Sequence, residues 1–248
     1  MEEMSSSSTR KVLRVQGGLG DHLSHSTLPE EWARMGYEVY TSHRSVHRNI
    51  EIYSLVWGLN PFIKGHVDEP ETEPADRTDS PEVPFIQAVE SSFGVFGTGN
   101  TTPRLYREHM IIPELRGKTI VHLQCITAEY DPGWLRSRAD SLLEELGIDD
   151  REVLDLKILT PVNPYPDNFL VPRDTTTVGT RFPGYVIGGI MDHCDVIASC
   201  ENYITVHSGG ASLASAVGNP NTWVIMNESL RAAHSVNHFI YPNQKYVF

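Results

Sequence analysis

Two glycine turns, each directly following a short apolar run, hold most of the residues in this chain whose types and spacing could do chemistry. The first is GGLGDH, in which Gly17, Gly18 and Gly20 lead into Asp21 and His22, with His25 one helical turn later. Backbone N–H groups at the start of a helix favour an anion, whereas a carboxylate placed there repels a bound diphosphate and could instead take a proton from a substrate hydroxyl. A plainer role is also open, because an acid at this point can cap its helix. The second turn is HSGGAS, where Gly209, Gly210 and Ala211 put nothing bulky in the way of a phosphate and Ser208 and Ser212 add hydroxyl donors after His207.

Neither turn matches a stronger fingerprint. The dinucleotide pattern G-x-G-x-x-G fails because Leu23 stands where its third glycine belongs, and no glycine-lysine-serine/threonine element forms a P-loop. Ser208 is a poor hydrolase nucleophile, since Val206 occupies the position where a nucleophile elbow needs glycine.

The elements that must carry these turns alternate in type. KVLRVQ predicts a strand, residues 21–35 a helix in which Pro29 kinks or restarts the chain, and YEVYTS a second strand. This β-turn-α-β order opens a doubly wound parallel sheet, because parallel strands need a crossover helix. Residues 66–84 carry seven acids and four prolines and predict a surface loop or lid, and FIQAVESSF predicts a helix packed back on the first sheet.

The theme restarts near residue 117. TIVHLQCI predicts a buried strand, PGWLRSRADSLLEELG a helix closed by Gly147, VLDLKIL a strand, YVIGGIMDHCDVIASCENY a helix, and YITVHS a buried strand. HSGGASLASAVGNPNTWVIM adds turn, helix and strand. The chain therefore divides into a disordered tail at 1–10, an N-terminal Rossmann-like unit at 11–115 and a C-terminal one at 116–248, with one glycine turn in each. In open α/β sheets ligands bind beyond the carboxyl ends of the strands, so a ligand held in the cleft between the units is expected.

Composition narrows the partners. Lysine and arginine number 20 against 32 acids, a net charge of −12, which opposes a broad nucleic-acid face. The start MEEMSSSSTRK lacks the apolar core of a signal peptide, and no stretch approaches the roughly 18 apolar residues of a membrane helix; a cytoplasmic protein is the expectation. Cys125, Cys194 and Cys200 lie among apolar neighbours and predict buried free thiols. His43 and His47, like His234 and His238, have a four-residue spacing that could bind a metal on a helix face, but neither pair has a companion acid or cysteine at ligand spacing, and no metal site is expected.

GGLGDHLSHSTLP resembles the amino-terminal G-x-[GA]-x-G-D-x-[hydrophobic]-x-[ST]-x-P signature of the ADP-heptose:lipopolysaccharide heptosyltransferase family, and ITVHSGGASLASAVGNP is similar to that family's later strand-turn-helix. The two motifs cover about 30 residues, in the right order and one in each half. The resemblance implies a GT-B fold, two Rossmann-like domains facing across a cleft. The acceptor would lie on the amino-terminal domain and the donor nucleotide sugar on the carboxy-terminal one.

It further implies a glycosyltransferase in which Asp21 deprotonates an acceptor hydroxyl, with inversion and no required metal or other cofactor, while Gly209 and Gly210 hold the donor diphosphate. Arg181 becomes a candidate for neutralising that diphosphate, and His22 and His25 for contacts to the acceptor or donor. His207, Asn163, Tyr165 and Glu129 are placed near the cleft. His207 and Ser212 depart from the family's aspartate and histidine, so no particular sugar is implied. The alternatives on the same fold are a nucleotide-sugar epimerase or hydrolase, and a non-catalytic nucleotide- or glycan-binding module.

Overall fold

The computed structural model describes residues 9–75, 82–125, 130–159, 176–228 and 239–248. The amino-terminal part forms a parallel three-stranded sheet in the order β1 (Arg10–Leu13), β3 (Glu38–Ser42), β5 (Ile63–Val67). Where β1 ends, a short parallel pair, β2 (Gln16–Gly17) with β4 (Val46–His47), extends the chain toward the first glycine turn. That turn starts α1 (Leu19–Ser24), and α2 (Leu28–Arg34), α3 (Ile50–Tyr53) and α4 (Phe85–Ser92) complete the unit. The helix expected over 21–35 is thus two helices, because Thr27 opens a new one with Pro29 in its first turn, where proline is tolerated.

Residues 66–75 of the acidic segment are not a free lid. His66 and Val67 belong to β5, and the chain that follows is strapped along β1: Thr72 N–H donates to the Val12 carbonyl at 2.8 Å, and the Val12 N–H donates to Thr72 Oγ1 at 3.1 Å. Glu69 and Glu71 pair with Arg10 and Arg14 of the same edge. Two of the charges that oppose a core here thus find partners at the sheet edge instead.

The carboxy-terminal part is a six-stranded, all-parallel sheet in the order β10 (Gly184–Ile187), β8 (Val153–Ile158), β6 (Thr119–His122), β11 (Asn202–Val206), β12 (Thr222–Ile225), β13 (Lys245–Val247). A two-residue pair, β7 (Gln124–Cys125) with β9 (Thr176–Thr177), lies beyond the end of β6. The helices are α5 (Pro132–Glu145), α6 (Ile190–Ser199) and α7 (Gly209–Val217). Side-chain alternation covers both faces of the sheet, as a parallel sheet requires. Ile120 and Tyr203 face α6 and α7, and Val121 and Ile204 face α5.

The single helix expected over YVIGGIMDHCDVIASC is instead β10 followed by α6, with Gly188 and Gly189 as the turn between them. The final strand β13 adds a parallel edge that was not anticipated. The strand order also reverses: β6, β8 and β10 run outward one way, β11, β12 and β13 the other. The switch point lies between β6 and β11.

The two sheets share one core. Leu13, Leu23, Trp32 and Ile86 of the first unit join Cys194, Leu213, Ala214 and Tyr241 of the second in a continuous buried cluster. An irregular connection reinforces it, where Arg107 makes a bidentate pair with the buried Asp195 and Ile112 N–H donates to Ser199 Oγ at 2.8 Å. Burial raises the Asp195 carboxyl, but the bonds from Arg107 and the Met110 N–H hold it below its ordinary range. Cys194 and Cys200 are buried free thiols, as expected.

Candidate functional site

The two glycine turns meet face to face. A Cβ at Gly20 would stand 3.3 Å from Ser212 Oγ and 3.7 Å from the Gly209 Cα, and one at Gly209 would stand 3.1 Å from Leu19 Cβ. Only residues without side chains let the N-terminal ends of α1 and α7 approach this closely. Gly17 is needed for another reason: its φ of +137° is one that L side chains rarely adopt, and a Cβ there would meet Asp21 Oδ2 at 2.2 Å.

Asp21 is half-buried, and its Oδ2 accepts a hydrogen bond from the Gly18 N–H at 2.7 Å. This is the reach-back of an acid at the third helical position to the capping backbone, so the capping role left open by the sequence is present. It occupies one carboxylate oxygen. The charge of Asp21 also acts on the Tyr241 hydroxyl, which burial chiefly, and this carboxylate in smaller part, pushes far up. Tyr241 Oη–H donates to Ser212 Oγ at 3.1 Å, which brings Asp21 and the second turn into one locality.

His22 does not face a ligand. It is wholly buried, Nε2–H donates to the Val46 carbonyl at 3.0 Å, and Nδ1 accepts from Trp57 Nε1–H at 2.9 Å. A carbonyl can only accept and an indole N–H only donate, so the ring is a neutral, satisfied strut that ties β4 to α1. Burial, with the adjacent His47, lowers its pKa to about 3. His25 is half-buried, with Nδ1 bonded to the Asp21 carbonyl at 2.8 Å and its ring against Phe93.

The second turn stands at the switch point, directly after β11. Ser208 caps α7, its Oγ accepting from the Gly210 N–H at 3.2 Å, and Gly218 ends the helix with φ of +83°. Beneath Gly210 runs a buried polar chain. Tyr203 Oη lies 2.7 Å from His193 Nε2 and 3.2 Å from His122 Nδ1, and His122 Nε2 lies 3.4 Å from Gln124 Oε1. With the Gln124 carbonyl accepting, protons run from His193 to Tyr203 to His122 to Gln124, and every ring is neutral. Burial lowers His122 to about 4 and His193 well below its ordinary value. His207 is buried with its ring near Phe239.

Arg181 is not at the cleft. It precedes β10 and so lies at the amino-terminal end of that strand, where it pairs with Asp140 and Asp150 beside a surface depression. The side favoured for ligands is the opposite one. The expectation that Arg181 neutralises a diphosphate is corrected by this position. Asn163, Tyr165, Glu129, His234 and His238 lie outside the described residues. His43 and His47 are not on a helix: His43 stacks on His66, and His47 packs on His22 and Tyr53.

Two residues beside the turns escaped the sequence reading. Arg48, after β4, lies across Gly18, with Nη1 3.5 Å from where a Cβ would stand. Glu51 reaches into the other unit, where its Oε2 accepts from the Ile190 N–H at 2.9 Å against Gly189 and so caps α6. The signal was the basic run HRSVHR following a parallel strand in an acidic chain.

No family model and no curated protein sequence matches the chain. Solved structures do. The iron-containing dodecameric glycosyltransferase TibC from enterotoxigenic E. coli H10407 superposes with a TM-score of 0.62 at 17% identity, over 96% of this chain and 62% of that one. The TibC heptosyltransferase complex with ADP-D-beta-D-heptose gives 0.61 at 17% identity, over 96% and 63%. A family 9 glycosyl transferase from Veillonella parvula gives 0.56 at 13% identity, over 96% and 85%.

The likeness is one of fold, and at that level the resemblance raised by the two motifs is borne out: an α/β chain with two parallel sheets arranged as in GT-B glycosyltransferases. The chain spans less than two thirds of the length of TibC. One expectation is overturned. TibC is described as iron-containing, so this fold accommodates a metal and the expected freedom from metal does not stand. Among the described residues no group of three or more histidine, cysteine, aspartate or glutamate side chains is placed to hold a metal ion. Among them, too, no helix is long and apolar enough to cross a membrane.

Proposed function

We propose that the chain is a glycosyltransferase that moves a sugar from a nucleotide-sugar donor to a hydroxyl of a glycan acceptor, with inversion. The observation that carries this reading is the meeting of α1 and α7. It brings the Asp21 turn of one unit against the Ser208–Ser212 turn at the switch point of the other, which supports reading the first as base and the second as anion site. In this reading residues 11–115 form the acceptor domain and 116–248 the donor domain.

Asp21 takes the proton from the acceptor hydroxyl through the oxygen not bonded to Gly18. Gly17, Gly18 and Gly20 hold that carboxylate at the turn, and His25 braces the backbone behind it. Ser208 and Gly209 receive the donor diphosphate at the start of α7 and stabilise it as leaving group, with His207 beside the nucleotide; Gly210 lets the turn pack closely, and Ser212, expected from its hydroxyl to help, is buried against Tyr241 instead. The capping bond from Gly18 to Asp21 favours one other reading, a binding module in which the acid only shapes the turn.

A panel of sugar nucleotides, followed by thermal shift and by nucleotide release with and without acceptor alcohols, separates the two. Acceptor-dependent release is expected, with Asp21→Asn retaining donor binding and losing turnover. If no sugar nucleotide raises the melting temperature, the donor reading fails. If donor binds and Asp21→Asn or Asp21→Ala leaves function unchanged, the binding module is the better description.

A further inference from the structure

Four described arginines are half-buried: Arg48, Arg104, Arg107 and Arg138. Three of them face a carboxylate, Arg104 pairing with Glu30, Arg107 with Asp195 and Arg138 with Glu145. Among the described residues Arg48 makes no ion pair, although acids lie close to it in the chain and in the fold. Those acids are committed elsewhere: Asp21 accepts from the Gly18 N–H, and Glu51 from the Ile190 N–H and the Asn49 amide. A half-buried guanidinium bonded to no carboxylate keeps its N–H donors available to a ligand.

Its position is fixed from both sides. The Arg48 N–H donates to the Gly17 carbonyl at 3.3 Å, and the side chain lies across Gly18. Three residues on, Glu51 anchors the same segment to the second unit at α6. From Gly18 the turn continues to Gly20, which touches Ser212 and Gly209. Arg48 is therefore held one glycine turn away from the start of α7.

We propose that Arg48 binds the diphosphate of the donor, closing from the acceptor side a site whose other half is Ser208 and Gly209; this rests on the glycosyltransferase reading above. A guanidinium fork matches two phosphate oxygens at once. It takes the place that sequence reasoning gave to Arg181, and it makes diphosphate recognition a joint product of the two units.

The test is calorimetric titration of ADP, UDP, GDP and inorganic pyrophosphate into the full chain and into Arg48→Gln, Arg48→Lys and, as a paired-arginine control, Arg138→Gln. Loss of a charged hydrogen-bond partner predicts about 10- to 100-fold weaker diphosphate binding in Arg48→Gln, a smaller loss in Arg48→Lys and none in Arg138→Gln. The melting temperature of Arg48→Gln should not fall, because no protein partner is lost. Diphosphate affinity unchanged in Arg48→Gln overturns the proposal while leaving the donor reading intact. A raised acceptor KM with unchanged diphosphate affinity also overturns it, assigning Arg48 to an anionic acceptor. No binding of any probe by the unaltered chain overturns both. Should Arg48→Gln fail to fold, Arg48→Lys decides by the same comparison.

Discussion

The turn at Gly17–Asp21 and the turn at Ser208–Ser212 look alike in sequence, each a glycine cluster between a strand and a helix, yet they are built for different work. In the first, a glycine is required by conformation: Gly17 adopts φ of +137°, the helix that follows has six residues, and the space over the backbone is taken by the Asp21 carboxylate. In the second, Gly209 and Gly210 have ordinary backbone angles and are required by proximity, and the helix of nine residues starts at the switch point with Ser208 as its cap. The first turn carries an acid, the second only small residues and the Ser208 hydroxyl that caps its helix. Both rest on buried neutral histidines, His22 under one and His122 with His193 under the other.

The histidines give the largest expected effect. Burial lowers His22 to about 3 and His122 to about 4, while the same residues in the unfolded chain titrate near 6.5. Between these values the folded state binds fewer protons than the unfolded one. Stability is therefore full above about pH 6.5 and falls with acidification, by up to about 1.4 kcal/mol per pH unit for each such histidine. Denaturant unfolding from pH 7.5 to 4.5 should show this loss, and a flat profile contradicts the neutral struts.

Substitutions at the glycines sharpen the difference between the turns. Gly17→Ala is strained and displaces the capping carboxylate, so a loss of about 2–3 kcal/mol is expected. Gly210→Ala has an acceptable backbone but presses on His122 Nδ1 and Tyr203 Oη at 3.2 and 3.3 Å, and about 1 kcal/mol is expected. Urea midpoints of the two variants measure both, and equal losses contradict the division between conformation and proximity. Asp21→Asn keeps an oxygen for the Gly18 N–H, whereas Asp21→Ala removes the cap at a cost of about 1 kcal/mol, a gap their melting temperatures report. Arg181→Ala should leave both donor KM and melting temperature unchanged within error, since its ion pairs are exposed and lie at the far end of the sheet.

Much of the fold was legible because apolar runs such as TIVH and NYITV can only be buried strands in a parallel sheet, and because Asp131-Pro132 and Gly147 mark the ends of α5. The failures have local causes. Gly188-Gly189 separates a strand from a helix, and read as glycines tolerated within a helix they fused β10 with α6. KYV is too short to announce a strand without its neighbour β12. At the site, Asp21 and the second turn are carried by contiguous motifs and so were visible. Arg48 and Arg181 were not distinguishable, because sequence does not show which arginines have partners or at which end of a strand they lie. His22, adjacent to Asp21 in sequence, points the opposite way into the core, since neighbouring positions on a helix face different directions.

The account stands or falls on the separation of proton transfer from donor binding between the two turns. The direct measurement is turnover and nucleoside-diphosphate affinity, side by side, for the unaltered chain and Asp21→Asn. The separation predicts a fall in kcat of about 10²–10⁴ with diphosphate affinity and melting temperature unchanged. Turnover that survives the substitution, with donor still bound, contradicts it.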